Sequence, residues 1–168
     1  MCSLLKLGVK AMTFVAALVS LLLTLSGLAI FHRWNLSYLT EKPWELTEST
    51  LFCITVSTYG FLFLGVCASA SAICGLFKKQ SEQVLAFSIY LALVILFALF
   101  GVWLCASLHN YASAEPTMPA NVREQLIKAA HNFGTVFIST AVLGSFASLA
   151  SIVTEQILQK EAEEDHYC

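Results

Sequence analysis

The sequence predicts an all-α integral membrane protein: a four-transmembrane-helix antiparallel bundle with short loops. Of its 168 residues, 58% are hydrophobic and only 12% are charged, far too apolar a composition for an ordinary soluble domain. Four apolar stretches each reach the roughly 20 residues needed to cross a bilayer, and none carries Asp, Glu, Lys or Arg in its middle. They cover about 7–31, 51–77, 84–108 and 133–157. Little chain remains outside them, so we expect one membrane domain over 1–168.

The first stretch is predicted to be a retained helix rather than a signal peptide. Lys6 and Lys10 precede its apolar run, as basic residues do in a secretory signal. The run from Ala11 to Phe31 is longer than the usual h-region of about 7–15 residues, and no small-x-small cleavage pattern follows it. We therefore count it as the first membrane helix.

The second stretch contains a run of small side chains that is typical of a contact helix. Where lipid solvates apolar surface as well as protein does, small residues matter because they let two helix backbones approach. This predicts that the run packs against another helix, either in the same chain or in a partner. The residues that form this small face are Gly65, Ala68, Ser69, Ala72 and Gly75.

The fourth helix is predicted over 121–160, with 133–157 in the membrane, and it carries a second small-residue face. Asn121 is the predicted N-cap, and the helix is expected to extend beyond the membrane on the outer side. An acidic tail over 160–168 follows, either as a solvated end or as a docking site for a basic partner. The second small face consists of Thr140, Gly144, Ser148 and Ser151. The third helix, by contrast, is bulky all round over 91–100.

The distribution of lysines predicts the orientation. Lys78 and Lys79 lie together in the short connection 78–83, and by the positive-inside rule this loop and both termini are cytoplasmic. The longer connections then face outward. Asn35 begins an Asn-Leu-Ser glycosylation sequon in the first of them, close to the end of helix one.

Four cysteines suggest modifications, against the alternative that they are small packing residues. Cys53 and Cys105 are expected at similar depth on antiparallel neighbours, where a disulfide would form if their Cα atoms came within about 7 Å. Cys2 and Cys74 are expected near the cytoplasmic surface, where reversible palmitoylation occurs. The sequence contains no Cys-x-x-Cys, so thiol redox catalysis gains no support.

Three histidines are expected at one depth on the outer side. His32 follows helix one, His109 follows helix three and His131 precedes helix four. Converging imidazoles could hold zinc, copper or a haem. The alternative is that alternating helices place three interfacial histidines at one level without any ligand.

Two segments make the sequence resemble the tetraspanin family. Residues 1–6 place a cysteine and a lysine before helix one, whose later part, 25–30, contains Gly27. Residues 60–70 form a glycine–cysteine–small run that precedes a short polar turn. The resemblance covers about 1–108. It implies cytoplasmic termini, acylation at Cys2 and Cys74, and lateral association with membrane proteins. The second outer loop lacks the large Cys-Cys-Gly domain of that family, so its recognition properties are not implied.

Together these observations predict a non-catalytic, tetraspanin-like scaffold or accessory subunit of a larger membrane complex. We expect other integral membrane proteins and lipid as partners, with a homo-oligomer also open, and the plasma membrane as location. Neither a nucleic acid, given the net charge of −2, nor a cofactor is expected. The alternatives are a metal- or haem-binding redox subunit that uses the histidines, and a pore or transporter lined by hydroxyls. Those hydroxyls are Thr13, Ser20, Thr24, Thr55, Ser57 and Thr58.

Overall fold

The computed structural model describes residues 3–41, 48–114 and 119–166, which form four helices and, within those ranges, no strand. Their lengths are 39, 31, 34 and 47 residues. The all-α fold class is confirmed and is consistent with a four-helix bundle. The helices are α1 (Ser3–Glu41), α2 (Glu48–Lys78), α3 (Ser81–Ala114) and α4 (Ala120–His166).

Each helix is long and apolar enough to cross a membrane. At about 1.5 Å per residue, even the shortest exceeds the roughly 30 Å of a bilayer hydrocarbon core. On length and composition the chain is therefore a multi-pass membrane protein. The four candidate spans are Leu4–Arg33, Phe52–Lys78, Ser81–Ala114 and Ala120–Glu164.

Three helices continue beyond their predicted ends: α4 runs to His166 instead of residue 160, and α1 and α3 are extended as well. α1 runs to Glu41 instead of residue 31, and α3 runs to Ala114 instead of residue 108. Neither extension contains glycine or proline, so nothing local stops the helix when the apolar run ends. In the sequence a proline follows two residues after Glu41 and two residues after Ala114, and a proline disfavours the α conformation in the residue before it.

Backbone hydrogen bonds define the turn between α2 and α3. The Gln80 N–H donates to the Gly75 carbonyl at 2.8 Å, and Lys79 adopts a left-handed φ of 56°. This is the pattern of a Schellman motif, with lysine at the position that usually holds glycine. Lys78 lies in the last turn of α2, where a cation interacts favourably with the helix dipole.

The start of α4 differs from the prediction. The helix begins at Ala120, and the Pro119 carbonyl accepts hydrogen bonds from Val122 N–H at 3.1 Å and Arg123 N–H at 3.0 Å. Asn121 therefore lies inside the first turn, and its predicted role as N-cap is wrong.

The chain divides into two compact units, where the sequence predicts one domain. Unit 1 comprises 1–90 and 150–168, and unit 2 comprises 91–149. In unit 1, α1 and α2 pack directly on each other. In unit 2, the buried residues are Leu91 and a set of small residues of α3 and α4: Ala98, Gly101, Cys105, Ala112, Ala130 and Gly144.

Candidate interaction surfaces

The small face of α2 is buried inside the chain. All five of its predicted residues are buried: Gly65, Ala68, Ser69, Ala72 and Gly75. Their spacing of three and four residues places them on one side of the helix. This side of α2 is a contact surface, as the residue sizes indicate.

The neighbours of this face within unit 1 are α1 and the beginning of α3. A methyl carbon built on Gly65 would lie 2.5 Å from Thr24 Cγ2 and 2.7 Å from Tyr90 Cζ. Ser69 Oγ donates a hydrogen bond to Ser20 Oγ at 3.0 Å. A methyl carbon on Gly75 would lie 2.8 Å from the Cβ of Gln83. The face is occupied by the chain itself, so it is not a surface that a partner could use.

The small face of α4 falls into two parts. Gly144 is buried in unit 2, where a methyl carbon would lie 3.1 Å from Ile95 Cγ1 of α3. Ser151 is buried in unit 1, where it accepts a hydrogen bond from Ser88 at 2.7 Å. Thr140 and Ser148 are half-buried. Close packing in this stripe is therefore centred on Gly144 and Ser151.

Polar pairs join α1, α3 and α4 in unit 1, and the sequence analysis missed them. Thr13 and Thr154, both fully buried, share a hydrogen bond of 2.8 Å between their hydroxyls. Nearer the chain termini, Lys10 forms an ion pair with Glu161 at 2.7 Å. Two features of the sequence could have indicated these pairs. One is the presence of threonines inside apolar helices, and the other is the presence of opposite charges at helix ends that are predicted to lie on the same side of the membrane.

Unit 2 is held by a different kind of contact. Side chains of one helix pack over glycines of the other: Phe137 of α4 over Gly101, and Cys105 of α3 over Gly134. The Phe137 ring lies 2.7 Å from a methyl carbon built on Gly101, and Cys105 Cβ lies 3.6 Å from one built on Gly134. The hydroxyls of this unit instead donate to carbonyls of their own helix, as hydroxyls in membrane helices commonly do. These are Ser107, Ser113, Thr135, Ser139, Thr140 and Ser145.

The cysteines of the described residues are free thiols. Cys53 is exposed, and Cys105 is buried facing Gly134, so the predicted disulfide between them is not formed. Cys105 lies against Gly134 of α4, within unit 2. Cys74 is exposed, one helical turn before Lys78, while Cys2 lies outside the described residues.

The predicted outer histidines do not form a ligand set. His32 Nδ1 and the Tyr59 hydroxyl share a hydrogen bond of 2.9 Å, and Phe31 packs edge-on against Tyr59 with ring centroids 5.1 Å apart. His109 and His131 are exposed. Within 3–41, 48–114 and 119–166, no three His, Cys, Asp or Glu side chains gather where they could hold a metal ion.

The glycosylation sequon lies in a helix instead of a loop. Asn35 is half-buried in the last part of α1, which continues to Glu41. Sequons that carry glycans lie on surface loops. The geometry around Asn35 thus differs from the predicted one.

A second small face of α2 remains exposed. Its residues lie three, four or seven positions apart, which places them along one line of the helix surface. A methyl carbon built on Gly60 meets no atom within 4 Å. The exposed small residues on this line are Cys53, Ser57, Gly60, Cys67 and Cys74, and Leu64 is the one large residue among them.

These features define the class of the chain: a multi-pass membrane protein of four long helices, with small and hydroxyl-bearing residues at its internal contacts. No protein-family model, no curated protein and no solved structure matches it.

Proposed function

We propose that this protein is a non-catalytic, tetraspanin-like membrane scaffold or accessory subunit that binds laterally to a larger complex of integral membrane proteins. The observation that carries the proposal is the exposed small face of α2. A lipid-facing helix has no need of small side chains, whereas a helix that receives another helix does.

The opposite side of the same helix supports this interpretation. There, Gly65 and Ser69 bring α2 close to α1 through the same residue types. The exposed face presents Gly60 and Cys67, two helical turns apart, and no atom of the described residues lies within 4 Å of a methyl carbon built on Gly60. We infer that a transmembrane helix of another protein covers it.

The exposed surface of α3 has the opposite character and suits lipid. Its outward residues are large and apolar, and side chains of this size fill the space between lipid tails rather than admitting a second backbone. Among them are Leu96, Phe97, Leu99, Phe100 and Trp103. The contrast between helices favours α2 as the partner-binding side.

We further propose a plasma-membrane location, with both termini and residues 78–83 in the cytoplasm. The Lys10–Glu161 ion pair supports placing both terminal segments on one side, because paired side chains lie at the same depth. Lys78 and Lys79 support the cytoplasmic assignment of their turn. The exposed Cys74 thiol next to that turn is suited to acylation.

The observed hydrogen bonds favour packing over transport. Thr13 bonds Thr154, Ser20 bonds Ser69, and Thr24 donates to carbonyls of its own helix at 2.9 Å and 3.0 Å. Hydroxyls that line a transport path would keep oxygen lone pairs free to contact a passing ion. These hydroxyls instead bond to a hydroxyl of another helix or to a backbone carbonyl of their own helix.

The proposal is tested with Gly60→Leu and Cys67→Leu, each purified in mild detergent from the native membrane. We expect the wild-type chain in a particle larger than itself, and about tenfold less co-purified partner for each variant. That loss corresponds to about 1.4 kcal/mol, within the cost of inserting methylenes into a close contact.

Phe97→Leu is the matched control, since it changes an exposed apolar residue of α3. It should leave the complex intact. Ser69 and Gly144 are unsuitable positions, because both are buried inside the chain and their substitution would test folding. A wild-type particle containing one chain alone, or equal losses for Phe97→Leu and Gly60→Leu, would refute the proposal.

A further inference from the structure

One ion pair joins the beginning of α1 to the end of α4. Lys10 Nζ donates to both carboxylate oxygens of Glu161, at 2.8 Å and 2.7 Å. The two side chains are 26% and 21% exposed, so the pair is partly shielded from water. A bidentate contact between residues 151 positions apart fixes how α4 lies along α1.

Glu161 differs from the acidic residues that surround it in sequence. Glu163 and Glu164 are exposed, as is the neighbouring Lys160. Other charges at this end of unit 1 are the half-buried Lys6 and, around the α2–α3 turn, the exposed Lys78, Lys79 and Glu82. Glu161 thus pairs with a residue of another helix while Glu163 and Glu164 are exposed, so the tail is not uniformly a solvated end.

Buried apolar and hydroxyl-bearing side chains precede Glu161 along α4. Ile157 and Leu158 are 5% and 1% exposed, and the Thr13–Thr154 hydrogen bond lies two turns before Glu161 along α4. Ile157 shares the side of α4 that faces α1 with Thr154 and Glu161, because the three lie three and four residues apart. If the end of α4 moved away from α1, Ile157 would become accessible.

We propose that Lys10–Glu161 is an electrostatic latch that holds the last turns of α4 against α1, and that its opening exposes Ile157. Because the pair retains some contact with water, salt screens it, and its strength depends on ionic strength. The inference does not depend on the proposed function, since it concerns contacts within the chain alone.

Hydrogen–deuterium exchange tests the latch on the full-length protein in detergent, with mass spectrometry of the peptide that covers 155–166. Glu161→Gln and Lys10→Met should each raise amide exchange in this peptide about fivefold, which is the scale of a partly exposed ion pair. The exchanged-charge variant Lys10→Glu/Glu161→Lys should return exchange to within about twofold of wild type.

Two controls separate the latch from general effects of charge. Glu163→Gln makes the same change in net charge at an exposed position and should leave exchange unchanged. About 1 M salt should raise exchange in the wild type but not in Lys10→Met/Glu161→Leu, which replaces the pair with apolar side chains. Failure of the exchanged-charge variant to restore protection, or an equal effect of Glu163→Gln, would overturn the latch.

Discussion

Gly65→Ala should destabilise the protein even though alanine is the better helix former. Gly65 lies where α2 meets both α1 and α3. An added methyl carbon would lie 2.5 Å from Thr24 Cγ2 and 2.7 Å from Tyr90 Cζ, and the Tyr90 hydroxyl is closer still. Thr24 and Tyr90 are themselves buried, so neither side chain can turn out to solvent or lipid.

The magnitude follows from comparing this glycine with Gly60 of the same helix. Gly60→Ala meets no atom within 4 Å and should stabilise the chain by about 0.5–1 kcal/mol through helix propensity. Gly65→Ala gains the same propensity but forces apart packed side chains, at a cost of about 1–3 kcal/mol or more. We expect the two variants to differ by about 3 kcal/mol, because the clash involves several atoms at once.

The assay is unfolding in mixed micelles with increasing sodium dodecyl sulfate, followed by circular dichroism. A difference of about 3 kcal/mol is more than a hundredfold in the equilibrium constant, and it is well resolved. Thr24→Ser removes one of the contacting atoms, so it should recover part of the loss in the Gly65→Ala background. If Gly65→Ala proves as stable as Gly60→Ala, the inferred contact of α2 with α1 and α3 is incorrect.

Two further predictions concern the contacts of the other helices. Gly101→Ala should lower the free energy of unfolding by about 1–3 kcal/mol, because its methyl group would lie 2.7 Å from the Phe137 ring. Phe137→Leu should reduce that loss in the double variant. Additive effects of the two substitutions in the same unfolding assay would contradict this prediction. Thr154→Val should cost about 1 kcal/mol, because it leaves the buried Thr13 hydroxyl without its 2.8 Å partner. The double variant Thr13→Val/Thr154→Val should lose less free energy of unfolding than the sum of the losses of the two single variants. A double-mutant cycle with no coupling energy would count against the hydrogen bond.

Hydropathy and residue size could be read from the sequence because they are local properties. The four apolar stretches predicted four membrane helices, and the confirmed all-α fold follows from them. The helix ends were predicted less accurately. α1 continues ten residues beyond residue 31, to Glu41, because helix propensity persists after the hydrophobic run ends. Residue size likewise marked one side of α2 as a contact surface, and its residues Gly65, Ala68, Ser69, Ala72 and Gly75 are buried.

The neighbours of each surface depended on the tertiary structure. Gly60 and Gly65 are glycines of one helix, yet the first faces open space and the second faces Tyr90. Similarly, Cys105 packs against Gly134 of α4, and Lys10 pairs with a residue near the other end of the chain. Periodicity shows which residues share a side of a helix, but the rotation of that helix is set by the summed packing of all its contacts. The sequence by itself therefore determined the number, type and approximate extent of the helices, and the tertiary structure decided which of their faces the chain covers and which it leaves exposed.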